Sequence, residues 1–368
     1  MAIKVNKSGV GAYEVINDSR RLDLRHGSIG LGADSTSTLL AEPSASLTVG
    51  DTTFNTDKEE IVVWNGSGWV RPNGNILTDA VNGTGGNFTA TPGNGYKYHT
   101  FTSPGTFSLP SAGTVDILVV GAGGGSRYFN DSRNGGGGGG GVAYWPNVTL
   151  PGTTYPVTVG SGGAGLNGGD STFAPGNPVY SVVGKGGGRA GGGPRSNQTN
   201  GNNGGSGGGG SGFNQNTNSG SGIQNTLNPG RTGLLNYGND GGPNRPGVTS
   251  EGGGGAGQAG NSSTATYGGK GGDGIQVASG AFAGNLIGIP GINPYSGYYG
   301  GGGDGNSSGN TTRPLGGGGA MTTSSVIADG VGQNGVNNTG GGASGGGSSG
   351  QGVSAAGGDG IVVIRYEA

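Results

Sequence analysis

The sequence predicts an all-β chain with almost no α-helix, in which a small N-terminal β module precedes a long glycine-rich β domain. Three observations predict it. Glycine fills 98 of the 368 positions, against about 7 % in ordinary proteins. No window long enough for a helix carries an apolar i, i+3, i+4, i+7 stripe free of Gly or Pro breakers. Short runs of β-branched and aromatic residues recur instead. Two of them, Val115–Val120 and Ile361–Tyr366, are near-continuous apolar stretches of strand length.

Composition bounds the rest. Charged residues make up only 10 % of the chain and the net charge is −2, so no basic patch offers a nucleic-acid backbone its counter-charge. Disordered chains are charge-rich and poor in aromatics, whereas this one keeps 13 Tyr, 8 Phe and 3 Trp. Cysteine is absent, which removes disulfides and thiolate metal sites. There is no apolar run of membrane-spanning length, and Met1–Ser8 has no apolar signal region. The expectation is a chain made in a cytoplasm, without cofactor, metal or membrane insertion, that reaches a cell exterior on an assembled particle.

Residues 1–72 have ordinary composition and predict the N-terminal module. Ile3, Val5, Val15 and Ile16 suggest short strands, and Leu22–Arg25 alternates with period two. A hairpin is predicted over 49–70: Asn55–Lys58 supply turn residues, Asn65-Gly66 reads as a two-residue turn, and Trp64 and Trp69 flank it. Residues 73–95, rich in Gly, Asn and Thr, read as a linker. From 96 to 368 the pattern changes. Tyr96, Tyr98, Phe101 and Phe107 mark strands, Val142–Trp145 and Tyr155–Val159 mark further ones, and Ile361–Tyr366 is expected to pair with Val115–Val120 in one sheet that closes the domain.

The glycine runs, such as Gly135–Gly141, Gly207–Gly210, Gly252–Gly255, Gly300–Gly303 and Gly316–Gly319, lack the every-third-residue register of collagen. They suit extended left-handed helices of three residues per turn, which make no internal hydrogen bonds. Without Cβ atoms such helices approach closely and pair their backbone groups with one another, offsetting the entropy that glycine loses on ordering. Disorder over 185–350 is the alternative.

Phe101–Pro110, Val115–Gly125, Gly135–Val142, Val148–Gly160 and Gly357–Tyr366 together resemble, in order, the glycine-rich domain of many phage tail and virion proteins. The layout is similar to the extracellular glycine-rich region of the anaplastic lymphoma kinase receptor family. That resemblance implies, over about residues 96–368, a tumour-necrosis-factor-like, jelly-roll-like β-sandwich with an inserted polyglycine II helix bundle. The missing Cys, signal and membrane span favour the phage branch over a receptor. Val49–Val70 also looks like a short element of phage fibre and collar proteins. The resemblance implies a homotrimeric fibre.

Motifs of other functions fail on their surroundings. Gly121-Ala122-Gly123-Gly124-Gly125-Ser126 follows a strand, but the seven glycines at 135–141 cannot supply the helix that a dinucleotide site needs. Gly184-Lys185-Gly186 and Gly269-Lys270-Gly271 lack the Ser or Thr of a phosphate loop. His26 and His99 lie in different modules, which argues against a triad or a His-based zinc site, and each reads as an ordinary surface or strand residue. Gly-Gly-Asp recurs at Asp170, Asp273, Asp304 and Asp359; these are too far apart for a calcium loop and read as turns at equivalent entries into glycine helices. Asn-x-Ser/Thr triplets reflect composition.

The segments between glycine runs hold the candidates for recognition, because loops on a rigid scaffold carry binding. Tyr and Arg favour such surfaces. The expected host-contact residues are Arg127, Tyr128, Phe129, Tyr237, Tyr295, Tyr298 and Tyr299, whereas Leu286, Ile287 and Ile289 are expected to pack. No catalytic residue is expected. The function that follows is a phage virion structural protein, a tail fibre or adhesin that docks to other virion proteins through residues 1–72. Its glycine-rich domain would meet a host surface glycan or outer-membrane protein. The alternative is a head or neck appendage, or a capsid decoration protein, without receptor binding.

Overall fold

The computed structural model divides into two compact units, Met1–Ala80 and Val81–Ala368. It describes residues 4–5, 13–14, 33–35, 39, 41, 44–47, 49–56 and 60–72 of the first unit. Of the second it describes 81–126, 134–192, 199–212, 218–243, 245, 250–264, 267–289, 296–306, 312–320, 332–346 and 354–368. Among these residues helix is limited to a turn around Leu39 and three 3₁₀ turns, at Ser44–Ser46, Gln224–Thr226 and Ala278–Gly280.

In the first unit β1 (Lys4–Val5) pairs with β2 (Tyr13–Glu14). A four-stranded sheet runs in the order β3 (Ala33–Asp34), β4 (Thr52–Asn55), β5 (Glu60–Trp64), β6 (Trp69–Val70). Leu39, Val62, Trp64 and Trp69 form its core. Trp64 and Trp69 are directly opposite and meet edge to face with centroids 5.9 Å apart. The turn between them is longer than the two residues that Asn-Gly suggests. It spans Asn65–Gly68, with the Ser67 and Gly68 N–H groups donating to Asn65 Oδ1 at 2.8 and 2.9 Å, and Gly66 takes φ +97°. A side-chain acceptor two or three residues back closes such a turn as a backbone carbonyl would. Leu22–Arg25 and His26 lie outside the described residues.

The second unit is a two-sheet antiparallel sandwich carrying a glycine lattice. Its strands are β7 (Phe88–Ala90), β8 (Tyr96–Phe101), β9 (Gly105–Ser108), β10 (Gly113–Val120), β11 (Val142–Leu150), β12 (Thr154–Thr158), β13 (Ser171–Phe173), β14 (Val182–Gly184), β15 (Leu235–Tyr237), β16 (Ile275–Gln276), β17 (Tyr298–Tyr299) and β18 (Ile361–Glu367). One sheet has the order β15-β11-β10-β18-β8-β7, the other β14-β13-β12-β9, and β16 and β17 form a separate pair.

As expected, the two strongest strands are neighbours, with Leu118 opposite Val363 and Val119 opposite Val362. Their unbroken apolar runs have a physical reason. Val115, Ile117, Val119, Val362 and Ile364 face the core between the sheets. Leu118, Val120, Ile361 and Val363 face a second core, built with Phe282, Ile287 and Tyr299 from the segment between two glycine runs. With both faces covered, period-two alternation disappears from the sequence.

Residues 81–95 are not a linker. β7 is the edge strand of the large sheet, Val81 packs on the inter-sheet core, and a Cβ on Gly83 would strike the Phe107 ring. The low-complexity composition disguises a segment whose glycines let it lie against aromatic rings. Of the expected linker, 73–80 lie outside the described residues.

The glycine runs at 121–125, 135–141 and 357–360 meet the sandwich at one end, beyond Val120 and before Val142 and Ile361. Gly135–Gly141 lies at the centre. Gly135, Gly138 and Gly141 donate to Gly191, Gly188 and Lys185. Gly136 and Gly139 donate to Glu251 and Gly254, and Gly137 and Gly140 to Ala343 and Gly340, all at 2.7–3.0 Å. The carbonyls of Gly138 and Gly141 accept from Gly124 and Gly121, those of Gly136 and Gly139 from Gly209 and Ser206, and that of Gly137 from Gly303. The partner changes at every residue and returns after three, which is the signature of a three-residue helix. Six neighbouring runs therefore surround the central one, and its N–H groups are all paired. A Cβ on Gly138 would overlap the Ser206 carbonyl, one on Gly140 that of Gly121, and one on Gly253 that of Gly137. The inserted polyglycine II bundle is thus present.

Candidate functional site: the outer faces of the glycine lattice

The expected contact residues separate on inspection of their places. Arg127, Tyr128, Phe129 and Tyr295 lie outside the described residues. Tyr237 ends edge strand β15, half-buried and packed on the second core, and Tyr298 is half-buried in β17 opposite Gln276. Tyr299 is only 1 % exposed and its hydroxyl donates to the Phe282 carbonyl at 2.6 Å. Burial pushes its pKa up. Tyr299 is therefore a core residue and not a surface contact, because alternation along β17 turns it toward the second core while Tyr298 faces outward. Ile287 and Ile289 are buried and Leu286 packs beside them, as expected. Arg231 also serves the fold: its guanidinium donates to the carbonyls of Ser181, Pro229 and Pro178, at 2.6, 3.3 and 3.4 Å, and pins the loop before β15.

What the lattice presents outward is set by how its edges end. A glycine helix at the rim has N–H groups with no neighbouring run to accept them, and side-chain oxygens take that place. Asp170 Oδ1 accepts from Gly186 at 2.9 Å, Asp359 Oδ1 from Gly162 at 2.8 Å, Asp240 Oδ1 from Gly222 at 2.7 Å and Asn334 Oδ1 from Ala356 at 2.9 Å. Asp304, fully buried, accepts from Gly271 at 2.9 Å, and Asp273 accepts from Leu315 at 2.8 Å. The Gly-Gly-Asp repeats are therefore not turns. They are lateral caps that stand in for a missing carbonyl, and Asp170, Asp273 and Asp359 do so just before a run enters β13, β16 and β18. The recurrence of Gly-Gly-Asp was visible in the sequence. The asparagine caps carry a weaker signal, the i, i+3 spacing of Asn200 and Asn203 that suits such a helix.

Five buried polar residues anchor the scaffold. Arg365 Nε and Nη2 bond Asp116 Oδ2 at 2.8 and 2.7 Å, and its guanidinium lies over the Tyr96 and Phe282 rings at 4.3 and 4.8 Å. A bulge between Val115 and Ile117 lets the Asn147 N–H reach Asp116 Oδ1 at 2.8 Å. The Tyr144 hydroxyl donates to the same carboxylate, and burial, with the Asp116 charge beside it, pushes its pKa up to about 12. His99, in β8, is buried rather than at the surface. Nδ1 donates to the Gly85 carbonyl at 2.7 Å, Nε2 meets the Tyr366 hydroxyl at 2.9 Å, and burial lowers its pKa. Within the lattice, Glu251 is fully buried; its Oε1 accepts from Arg245 N–H at 2.9 Å and Ser263 Oγ at 3.3 Å, while Oε2 has no partner. Burial pushes its pKa up to about 7. Each of these groups binds its neighbours in the fold, and among the described residues no cluster of His, Asp and Glu could hold a metal ion.

Among curated proteins none matches the chain. The model of a family described as a glycine-rich domain matches residues 100–367, from the last two residues of β8 to the end of β18. The two sheets and the lattice between those limits are one hydrogen-bonded body, and the chain belongs to this glycine-rich domain family.

Proposed function

We propose that the chain is a structural protein of a phage particle, a tail fibre or adhesin whose glycine-rich unit contacts the host cell surface. The observation that carries this reading is the lattice. Its interior is backbone packed on backbone, so sequence can vary only at rims and connecting segments without disturbing the packing. A recognition surface needs that separation of rigid support from changeable exterior. The body also holds together without cysteine, which suits a particle assembled in a reducing cytoplasm and used outside it. The aspartates that a sugar-cleaving enzyme would need as a free pair are engaged as lattice caps at Asp170, Asp273, Asp304 and Asp359, which supports a non-enzymatic role.

Residues 1–72 dock to other virion proteins in this reading, the working form is a homotrimer, and the ligand is a host glycan or outer-membrane protein. The test is electron microscopy of the intact particle labelled with antibody raised against residues 96–368. Label at fibre tips is the expected result. Label over head or neck would replace the adhesin by an appendage or decoration protein, and no label on any particle would sink both.

A further inference from the structure

One lateral face of the lattice carries asparagines whose orientation is fixed by the backbone beside them. Asn200 Oδ1 accepts from Asn218 N–H at 2.9 Å, and Asn203 Oδ1 from Ser221 N–H at 2.8 Å. Asn167 Oδ1 accepts from Arg189 N–H at 2.9 Å and from Asn202 Nδ2 at 3.0 Å. A backbone N–H only donates, so each of these oxygens must point inward. The amide NH2 of Asn167, Asn200 and Asn203 is then turned outward, and it makes no hydrogen bond among the described residues. All three residues are exposed. Asn200 and Asn203 are one helical turn apart, a spacing of about 9 Å along the run. Among the described residues of this face the one cation is Arg189, whose guanidinium lies against Thr199 and Asn202 at 3.4 and 3.3 Å, so the described part of the face is close to neutral.

We propose that this asparagine face binds an extended, uncharged polysaccharide, the outward NH2 groups donating to sugar hydroxyl oxygens. The proposal rests on the adhesin reading and names the ligand class for it. The chemistry disfavours the other classes. A protein partner needs a buried aromatic or aliphatic anchor, which Asn167, Asn200, Asn203, Asn218 and Ser221 do not offer. A nucleic acid or an anionic membrane needs a cluster of cations. A polysaccharide offers hydroxyls at regular intervals, and several weak hydrogen bonds to one chain add up by avidity.

The test uses the full chain and a variant carrying Asn167→Asp, Asn200→Asp and Asn203→Asp. Aspartate keeps the inward oxygen and so the lattice bond, but its outward atom can only accept. Affinity electrophoresis is run against soluble neutral polysaccharides (dextran, mannan, galactan), and adsorption is measured on cells that support the particle. The expected result is retardation by at least one neutral polysaccharide, weakened roughly tenfold in the variant, at an unchanged melting temperature. If the triple variant melts early, Asn203→Asp alone serves, with a smaller but measurable loss. Equal binding by wild type and a folded variant, or retention by none of the three polysaccharides, overturns the proposal. Cell adsorption that survives the substitutions would leave the adhesin reading standing and this face without a role. Failure of the wild type to adsorb to cells would overturn the adhesin reading itself.

Discussion

The sandwich and the glycine lattice sit in one unit and solve the same problem by opposite means. Both must pair every buried N–H and C=O. In the sandwich each inner strand bonds to two neighbours, and the space between sheets is filled with side chains such as Phe101, Phe107, Ile117 and Phe173. In the lattice the central run bonds to six neighbours and has no side chains to place. The sandwich gains most from apolar burial, the lattice from dense backbone hydrogen bonding and close contact. The difference teaches where each tolerates change: the sandwich accepts altered shapes of equal volume, whereas the lattice interior accepts no Cβ.

The largest effect is expected from Gly138→Val. Its side chain would force away the run carrying Ser206 and Gly207, and the cost should exceed about 3 kcal/mol, the upper range for overpacking. Thermal melting checks it, and an unchanged curve would mean that the runs are not packed. The counterpart in the sandwich is Ile117→Leu, fully buried between sheets, which should cost under about 1.5 kcal/mol because volume is conserved. If the two variants melted alike, the contrast between the regions would fail.

The two regions should also respond oppositely to pH. Glu251, in the lattice, has a folded pKa of about 7 against an ordinary 4.5. Its contribution is full below about 4.5 and is lost as pH rises through about 7, a swing of about 3 kcal/mol. His99, in the sandwich, has a folded pKa below its ordinary 6.5. Stability from keeping it neutral is present above 6.5 and is lost as pH falls through the folded value. Acid should therefore strengthen the lattice and weaken the joint of β8 with Gly83–Gly85. Hydrogen exchange followed between pH 5 and 8 separates them. Glu251→Gln should flatten the lattice trend and leave that of β8; loss of both trends together would show that the regions do not respond separately.

The smallest effect is expected at the rim. Asp170→Asn keeps the acceptor for Gly186 N–H and removes only an exposed pair with Lys185 at 2.9 Å. Such pairs contribute about 0–1 kcal/mol, so the melting temperature should hardly move. A loss above about 2 kcal/mol would mean that the rim caps need their negative charge.

The sequence carried the scaffold further than the surface. Val115–Val120 and Ile361–Tyr366 were legible as paired strands because burial on both faces leaves an unbroken apolar run. Glycine runs out of collagen register pointed to three-residue helices for the same reason that the structure uses them: only glycine allows the approach of Gly140 to Gly121. Residues 81–95 were misleading, since a Gly- and Thr-rich segment has the composition of a linker whether or not aromatics such as Phe107 lie against it. Tyr299 was misleading too, because a two-residue strand gives no period from which to tell the inward face from the outward one. The rim caps escaped because their partners lie 16 to 197 residues away, as for Asp170 with Gly186 and Asp359 with Gly162, and nothing local records which N–H lacks a neighbour.

The most direct test of the lattice is amide hydrogen exchange over Gly135–Gly141. Unstructured glycine exchanges fast, whereas amides bonded within a cooperative body open only with that body. Protection of these seven amides equal to that of β10 and β18 is the predicted result. Exchange at the rate of an unfolded chain, with β10 and β18 still protected, would contradict the lattice and leave the sandwich standing alone.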